Sequence, residues 1–583
     1  MKWKILPDEQ YFPLHAFCVH FLYTLLKIKG TMRLIFSLLQ FTMMAILIDG
    51  CNTSNTSDDA DGFAAFSVDS LAKHIKTISG NDFQGRKPFT PAETKTINYI
   101  KDEFTTLGLE PGNGNSYFQD VPMVKITATA APTMKVTAAK GDFELKGPDD
   151  YIIYTDKTDT ALSFNNDEVV FAGYGVVAPE YNWNDYAGID VKGKIVLVLV
   201  NDPGFNAGDT SLFKGKAMTW YGRWPYKYAE AAKQGAKGCL IIHSDKAATY
   251  PFKVVQNLWN TSKLRLDTRG KEEKLCDISG WISWEATKKL LIAAGKDSSL
   301  LDKADKRGFV AEALGIKLST TMQVKVEYDK SHNVIGKITG SKYPDETIIY
   351  TAHWDHLGIG KPDEKGDSIY NGALDNGSGV AGLFEIAGGF KSLKRAPERT
   401  IVFLSITAEE QGLWGSEYYA QNPIYPIDKT VADLNMDMLN SYGKTKDIVL
   451  NGEGQNELED YLKEELAKTN RVLVFDPHPE TGSYYRSDHF NFAKVGVPSM
   501  DFKAGTDVIG KPKEYGAAMV NDYKQKHYHQ PSDEFSKDWN LEGMLDDIKL
   551  LFSIGRRLAF DHKWPAWKEG SEFKEIREKT KRP

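Results

Sequence analysis

Between Ala352 and Glu410 the chain places His353-Trp354-Asp355, then Asp375-Asn376, then the adjacent pair Glu409-Glu410. Two further pieces lie downstream: Asp437 in Asn435-Met436-Asp437, and His529 in Tyr528-His529-Gln530-Pro531. Imidazoles and carboxylates together are the donor set of zinc and similar divalent ions. His353, Asp375, one of the two glutamates, Asp437 and His529 make five donors with one carboxylate to spare, and that set fits a hydrolase built on two metal ions. Side chains of adjacent residues diverge, so one glutamate can ligate while the other stays free to carry a proton. Asp355, two residues after His353, can accept the second imidazole N–H and fix the tautomer. Asp375 sits among small residues, Gly372 to Gly379, before a helix. Alone it reads as a helix cap; beside His353 and Glu410 it reads as a carboxylate shared by two ions. His356 and His527 read as packed or solvated histidines and are left out of the site.

These donors need elements to aim them. Thr347–Tyr350 and Thr400–Ile406 are unbroken apolar runs, as in the buried central strands of an α/β sheet. His353 and the glutamate pair follow their ends, and in open α/β sheets sites form at the carboxyl ends of strands. A helix from Gly379 to Leu393 separates the two runs. A last helix opens at Asn540, with Leu545, Ile548, Phe552 and Leu558 on its buried face. Upstream, Thr90-Pro91-Ala92-Glu93 is a capping box with proline at the first helical position. Ile97, Ile100, Phe104 and Leu107 then recur at helical spacing and must dock on the α/β part. From about Ile126 to Thr320 short β-rich runs dominate, at Glu168–Phe171, Ile195–Val200 and Cys239–Ile242, with a helix from Tyr226 to Lys233. The glycine turns there carry no Lys-Ser or Lys-Thr pair before a helix, which excludes a phosphate loop. The tail from Trp564 reads as a surface wrap, and no internal repeat is present.

The chain has 583 residues, 41% hydrophobic and 26% charged, which implies two or three soluble domains. A net charge of −7 gives no basic surface for nucleic acid, and none is expected as a partner. Arg33, the apolar run Leu34–Ile48 and Asp49-Gly50-Cys51 read as an export signal whose cysteine resembles a bacterial lipobox. The expected address is therefore export, with a lipid anchor at Cys51 in the bacterial periplasm or outer membrane as the sole membrane contact, or otherwise secretion. Met1 and Met32 are both possible starts. Cys18 and Cys51 fall in the leader; Cys239 and Cys276 are left to pair or to stay as buried thiols.

Six segments in order carry a family resemblance: Ala352-His353-Trp354-Asp355-His356, Gly372–Gly379, Ala408–Ser416, Asn435-Met436-Asp437, Ser487-Asp488-His489 and Tyr528–Asp533. They resemble the cocatalytic dizinc exopeptidases, a family that includes secreted bacterial aminopeptidases and has glutamate carboxypeptidase, glutaminyl cyclase and the transferrin receptor as relatives. Phe171–Gly175, Val191–Val198 and Gln234–Ile242 resemble the protease-associated domain. The resemblance implies a three-layer α/β/α sandwich with a mixed central sheet, plus an inserted mixed β/α protease-associated domain. The implied division is leader 1–51, tether 52–64, catalytic parts 65–125 and 331–565, inserted domain 126–330 and tail 566–583. It implies two zinc ions, one on His353 and Asp437, the other on Glu410 and His529, with Asp375 bridging and Asp375-Asn376 in cis. It makes Glu409 the general base and Asp355 the orienting partner of His353. The implied reaction is removal of the amino-terminal residue of a peptide. Tyr528 is placed to donate to an oxyanion, with ring packing as the competing role, and Arg486 is the candidate for a substrate carboxylate. Carboxypeptidase, dipeptidase, glutaminyl cyclase and non-catalytic scaffold are the alternatives.

Overall fold

Unbroken apolar runs become the inner strands of the sheet. The computed structural model describes residues 61–206 and 208–580. The leader 1–51 and most of the 52–64 tether lie outside the described residues. Among the described residues no helix is long and apolar enough to cross a membrane.

Two helices come first, α1 (Val68–Ile78) and α2 (Pro91–Thr106). Proline occupies the first turn of α2, but neither bond of the expected capping box is made. Glu93 reaches past Thr90 to accept the Phe89 N–H at 2.9 Å, and the Thr90 hydroxyl donates instead to the Lys87 carbonyl at 2.6 Å. The strands follow as β1 (Phe118–Ala130), β2 (Ala161–Phe171), β3 (Ile195–Leu199), β4 (Gly238–Ile242), β5 (Ser262–Leu266), β6 (Ile278–Ile282), β7 (Glu312–Ile338) and β8 (Tyr343–His353). Next come α3 (Ser378–Lys391), β9 (Arg399–Ile406), β10 (Thr430–Asn435), β11 (Asp447–Leu450), β12 (Val472–Phe475), β13 (Ser499–Ala504) and α4 (Glu542–Phe560). Asn540 caps toward α4 by accepting the Glu542 N–H at 3.1 Å.

The larger sheet runs β1–β7–β9–β8–β10–β13–β11–β12. The inner strands β9, β8, β10 and β13 are parallel, β7 is antiparallel to β9, and β11 is antiparallel to β13. The sheet is therefore mixed. Strand alternation splits its side chains between two layers. Ile348, Tyr350, Ile401 and Phe403 pack with Leu71, Ile100, Phe384 and Phe552 of α1 to α4. Ile349, Val402 and Leu404 pack on the other face with Tyr419 and Phe492.

A second β-rich lobe holds two cores of its own. Its strands β2, β3, β4 and β6 are parallel neighbours, and β2 lies antiparallel on the first half of β7. No break separates this lobe from the larger sheet. β7 pairs with β1 continuously from Met322↔Ala130 to Val334↔Phe118, so positions 126 and 330 both fall inside shared strands. β5 adds to the outer side of β1. The two cysteines of this lobe, Cys239 and Cys276, are buried free thiols.

Two edges of the sequence reading change. Phe63, read as tether, packs its ring 5.7 Å from Phe552 of α4. The tail, read as a surface wrap, buries Trp567 and Phe573 to 4% exposure against Tyr484 and Phe490. Aromatic area of that size is favourable to bury wherever an apolar face is open.

Candidate metal centre

Three adjacent parallel strands deliver donors to one edge. His353 ends β8, Glu409 and Glu410 follow β9, and Asp437 follows β10. Asp375 stands in the turn before α3, and its peptide bond to Asn376 is cis. That turn is held by Asp533, whose carboxylate accepts the N–H groups of Leu374 and Asp375, each at 3.1 Å. His529 comes from the loop after the helix Tyr515–Lys526.

The five expected ligands converge in two groups that share Asp375. His353 Nε2 lies 3.3 Å from Asp375 Oδ1 and 3.3 Å from Asp437 Oδ1. His529 Nε2 lies 3.3 Å from Asp375 Oδ2 and 3.1 Å from Glu410 Oε2. Donors held at about 2.0 Å around a tetrahedral ion stand about 3.3 Å from one another. The spacing therefore fits one ion in each group, with one Asp375 oxygen turned to each. Ser487 donates to the other Asp437 oxygen at 2.9 Å, and the Lys503 ammonium bonds the Asp437 carbonyl.

Glu409 and Glu410 are neighbours in sequence with opposite electrostatics. Burial, reinforced by the charges of Asp437 and Glu410, pushes the Glu409 carboxyl well above the usual range. Burial would raise Glu410 as well, but His529 and His356 outweigh it and hold its carboxyl down at about 2. Two acids driven apart in this way are suited to separate roles, proton carrier and permanent anion. The residues on either side of this pair are gripped by β7. Asn333 Oδ1 accepts the Thr407 N–H at 3.0 Å, while its amide donates to the Gly415 carbonyl at 3.0 Å. The Trp414 indole N–H donates to Leu264 of β5 at 2.7 Å.

Asp355 is placed differently from expectation. His353 Nδ1 faces the Asp355 backbone carbonyl at 3.2 Å, and the carboxylate stands farther off at 3.9 Å. That carboxylate accepts the Glu409 N–H at 3.0 Å, so it ties the Glu409 loop to the His353 loop. Burial raises its pKa to about 8. The Tyr528 ring is stacked on His529, centroids 3.9 Å apart, and is 39% exposed. Arg486 is exposed next to Ser487.

Two residues of the centre escaped the sequence reading. His356, set aside as packing, is fully buried with Nδ1 2.6 Å from Glu410 Oε1. Its three-residue spacing from His353 across a strand end was the available signal. Arg86, from the turn before α2, is also fully buried. Its guanidinium donates to the carbonyls of Trp354 (2.7 Å), Ile78 (3.0 Å), Asn371 (2.5 Å) and Gly372 (2.8 Å). It thus joins the loop of His353 to the loop of Asp375. Burial lowers its pKa to about 10, against the pull of Asp533, Asp355, Asp375 and Glu410, which leaves it charged at neutral pH.

Residues 333–552 match the family described as Peptidase family M28. Among curated proteins, Carboxypeptidase Q of Xenopus laevis is 26% identical over 234 residues, covering 40% of this chain and 39% of that protein. Aminopeptidase YwaD of Bacillus subtilis (strain 168) is 30% identical over 232 residues, covering 38% of this chain and 44% of that protein. The chain thus spans about two fifths of the length of these relatives. Among solved structures, an aminopeptidase from Aneurinibacillus sp. strain AM-1 aligns over 88% of this chain and 97% of its own, at 20% identity and a TM-score of 0.49.

Proposed function

We infer, from the membership of residues 333–552 in peptidase family M28, that this chain is a zinc-dependent exopeptidase acting on peptides, with an aminopeptidase as the preferred form. The observation that carries the reading is the donor spacing of 3.1–3.3 Å on both sides of Asp375. His353 and Asp437 would hold one zinc, Glu410 and His529 the other, and Asp375 both. Bound zinc supplies Lewis acidity toward the scissile carbonyl and toward water.

Glu409 does the proton work. It takes a proton from the attacking water and returns it to the departing amine, a task that suits a carboxyl held well above its usual range. Glu410, held at about 2, stays ionised as a ligand. Tyr528 offers its hydroxyl toward the oxyanion from the rim, with its ring position set by the stack on His529. The aminopeptidase form is supported by the 30% identical relative. Arg486 beside Ser487 is the residue that would serve a carboxypeptidase.

The test is a substrate panel run with and without chelator: aminoacyl anilides, dipeptides, and peptides blocked at one end. We expect cleavage of substrates with a free amino terminus, loss with chelator and recovery with zinc. Cleavage that persists in the apo protein would refute the metal mechanism. Preference for a free carboxyl terminus would replace the aminopeptidase form by the carboxypeptidase one. Elemental analysis gives a second check. Glu410→Ala should leave about one zinc per chain where the wild type holds two, because removing a charged donor from a buried site strongly weakens that half.

A further inference from the structure

Glu410 lies between two imidazoles. Its Oε2 faces His529 at 3.1 Å, and its Oε1 faces His356 at 2.6 Å. The first contact belongs to the metal group described above; the second has no place in it. His356 is fully buried, and neither ring nitrogen has a hydrogen-bond partner; Glu410 Oε1 is likewise buried and without one. The close approach of Nδ1 and Oε1 is off the hydrogen-bond axis, so these two unpaired groups are each other's nearest available partner. The large majority of buried polar groups in folded proteins are hydrogen-bonded. A buried imidazole and carboxylate in contact are therefore placed to satisfy each other.

The surroundings are shaped to keep the ring there. Gly372 has φ +59°, and a Cβ on it would come within 2.6 Å of His356 Cγ. The His356 N–H donates to the Arg86 carbonyl at 3.4 Å, and the His529 ring meets the His356 ring edge-on with centroids 5.7 Å apart. His356 Nδ1 or Nε2, Asp375 and Glu410 can also present donor atoms within 4.8 Å of one another. The five ligands already supply both groups, so the ring is better used from behind. Carboxylates that bind metal are themselves hydrogen-bonded, and that support sets their orientation.

Resting on the zinc reading above, we propose that His356 is the positioning residue of Glu410: it holds Oε1 so that Oε2 stays turned toward His529 and Asp375. It touches neither substrate nor the proton carrier, so its effect falls on metal affinity at one half of the site.

The experiment is a zinc titration of the apo full-length protein with a chelating indicator, together with metal counting, for wild type, His356→Leu and His356→Asn. Leucine keeps volume and removes the donor. Asparagine places an amide nitrogen near the position of Nδ1. We expect His356→Leu to weaken the second ion about 10- to 100-fold and to leave the first unchanged, with His356→Asn within a few-fold of wild type. Wild-type affinity for both ions in His356→Leu would overturn the proposal, as would His356→Asn that is no better than His356→Leu. If leucine prevents folding, the asparagine variant decides alone, since loss of the second ion there counts against the role. A wild-type protein that takes up fewer than two ions would instead sink the zinc reading itself.

Discussion

Glu409→Ala is expected to bind zinc as the wild type does and to lose turnover by about 10²- to 10⁴-fold, the usual contribution of a positioned acid–base group. The expectation rests on three observations. Glu409 stands beside the metal group without closing it, with Oε2 3.9 Å from His353 Nε2. The four donor contacts of 3.1–3.3 Å all run through other side chains. Its carboxyl is pushed up by burial and by Asp437 and Glu410, whereas that of Glu410, the proposed ligand, is pushed down. The check is kcat on an aminoacyl anilide alongside zinc counting. Wild-type turnover in a fully loaded variant would remove Glu409 from the mechanism. Loss of zinc together with activity would make it a ligand.

Arg86→Met is expected to be the most destabilising single change near the site. Methionine fills part of the volume but leaves the buried carbonyls of Ile78, Trp354 and Asn371 without the guanidinium donor, while Gly372 keeps the Gly377 N–H at 3.1 Å. A buried acceptor stripped of its partner costs about 1–3 kcal/mol, so with three such carbonyls the loss should be on the order of 3 kcal/mol or more. The buried carboxylates of Asp355 and Asp533 also lose a nearby positive charge. Arg86→Lys should recover only part, because an ammonium has three donors and no planar fork. Urea unfolding of the apo protein measures the effect without interference from zinc. An unchanged midpoint would show that these carbonyls find other donors.

Much of the centre was legible in the chain because its ligands belong to local patterns. Ile348 to His353 and Ile401 to Glu410 are apolar runs that end in donors, and the sheet needs only to lay them side by side. The remainder depends on contacts without a local signature. Arg86 acts through four backbone carbonyls drawn from three separate segments, and no side-chain motif announces such a partner set. His356 had a visible spacing from His353, but only the folded chain shows Glu410 against it. At Asp355 a two-residue separation from His353 permits either a carbonyl or a carboxylate contact, and the local turn chooses the carbonyl. Glu93 shows the same competition. Its expected partner was the Thr90 N–H, but it serves Phe89 and also Ser331 and His332 of β7, a tertiary attraction that a local capping rule cannot include. The lobe boundary was hidden for a related reason. Strands that continue through it carry no glycine- or proline-rich break.

The shared strands have a mechanical consequence. Asn333, near the catalytic end of β7, grips Thr407 and Gly415 on the two sides of Glu409-Glu410, and β5 of the outer lobe accepts the Trp414 N–H. Among the described residues, continuous strands rather than a linker connect that lobe to the Glu409 turn. A displacement of the outer strands would therefore be passed to the Glu409-Glu410 turn through these contacts.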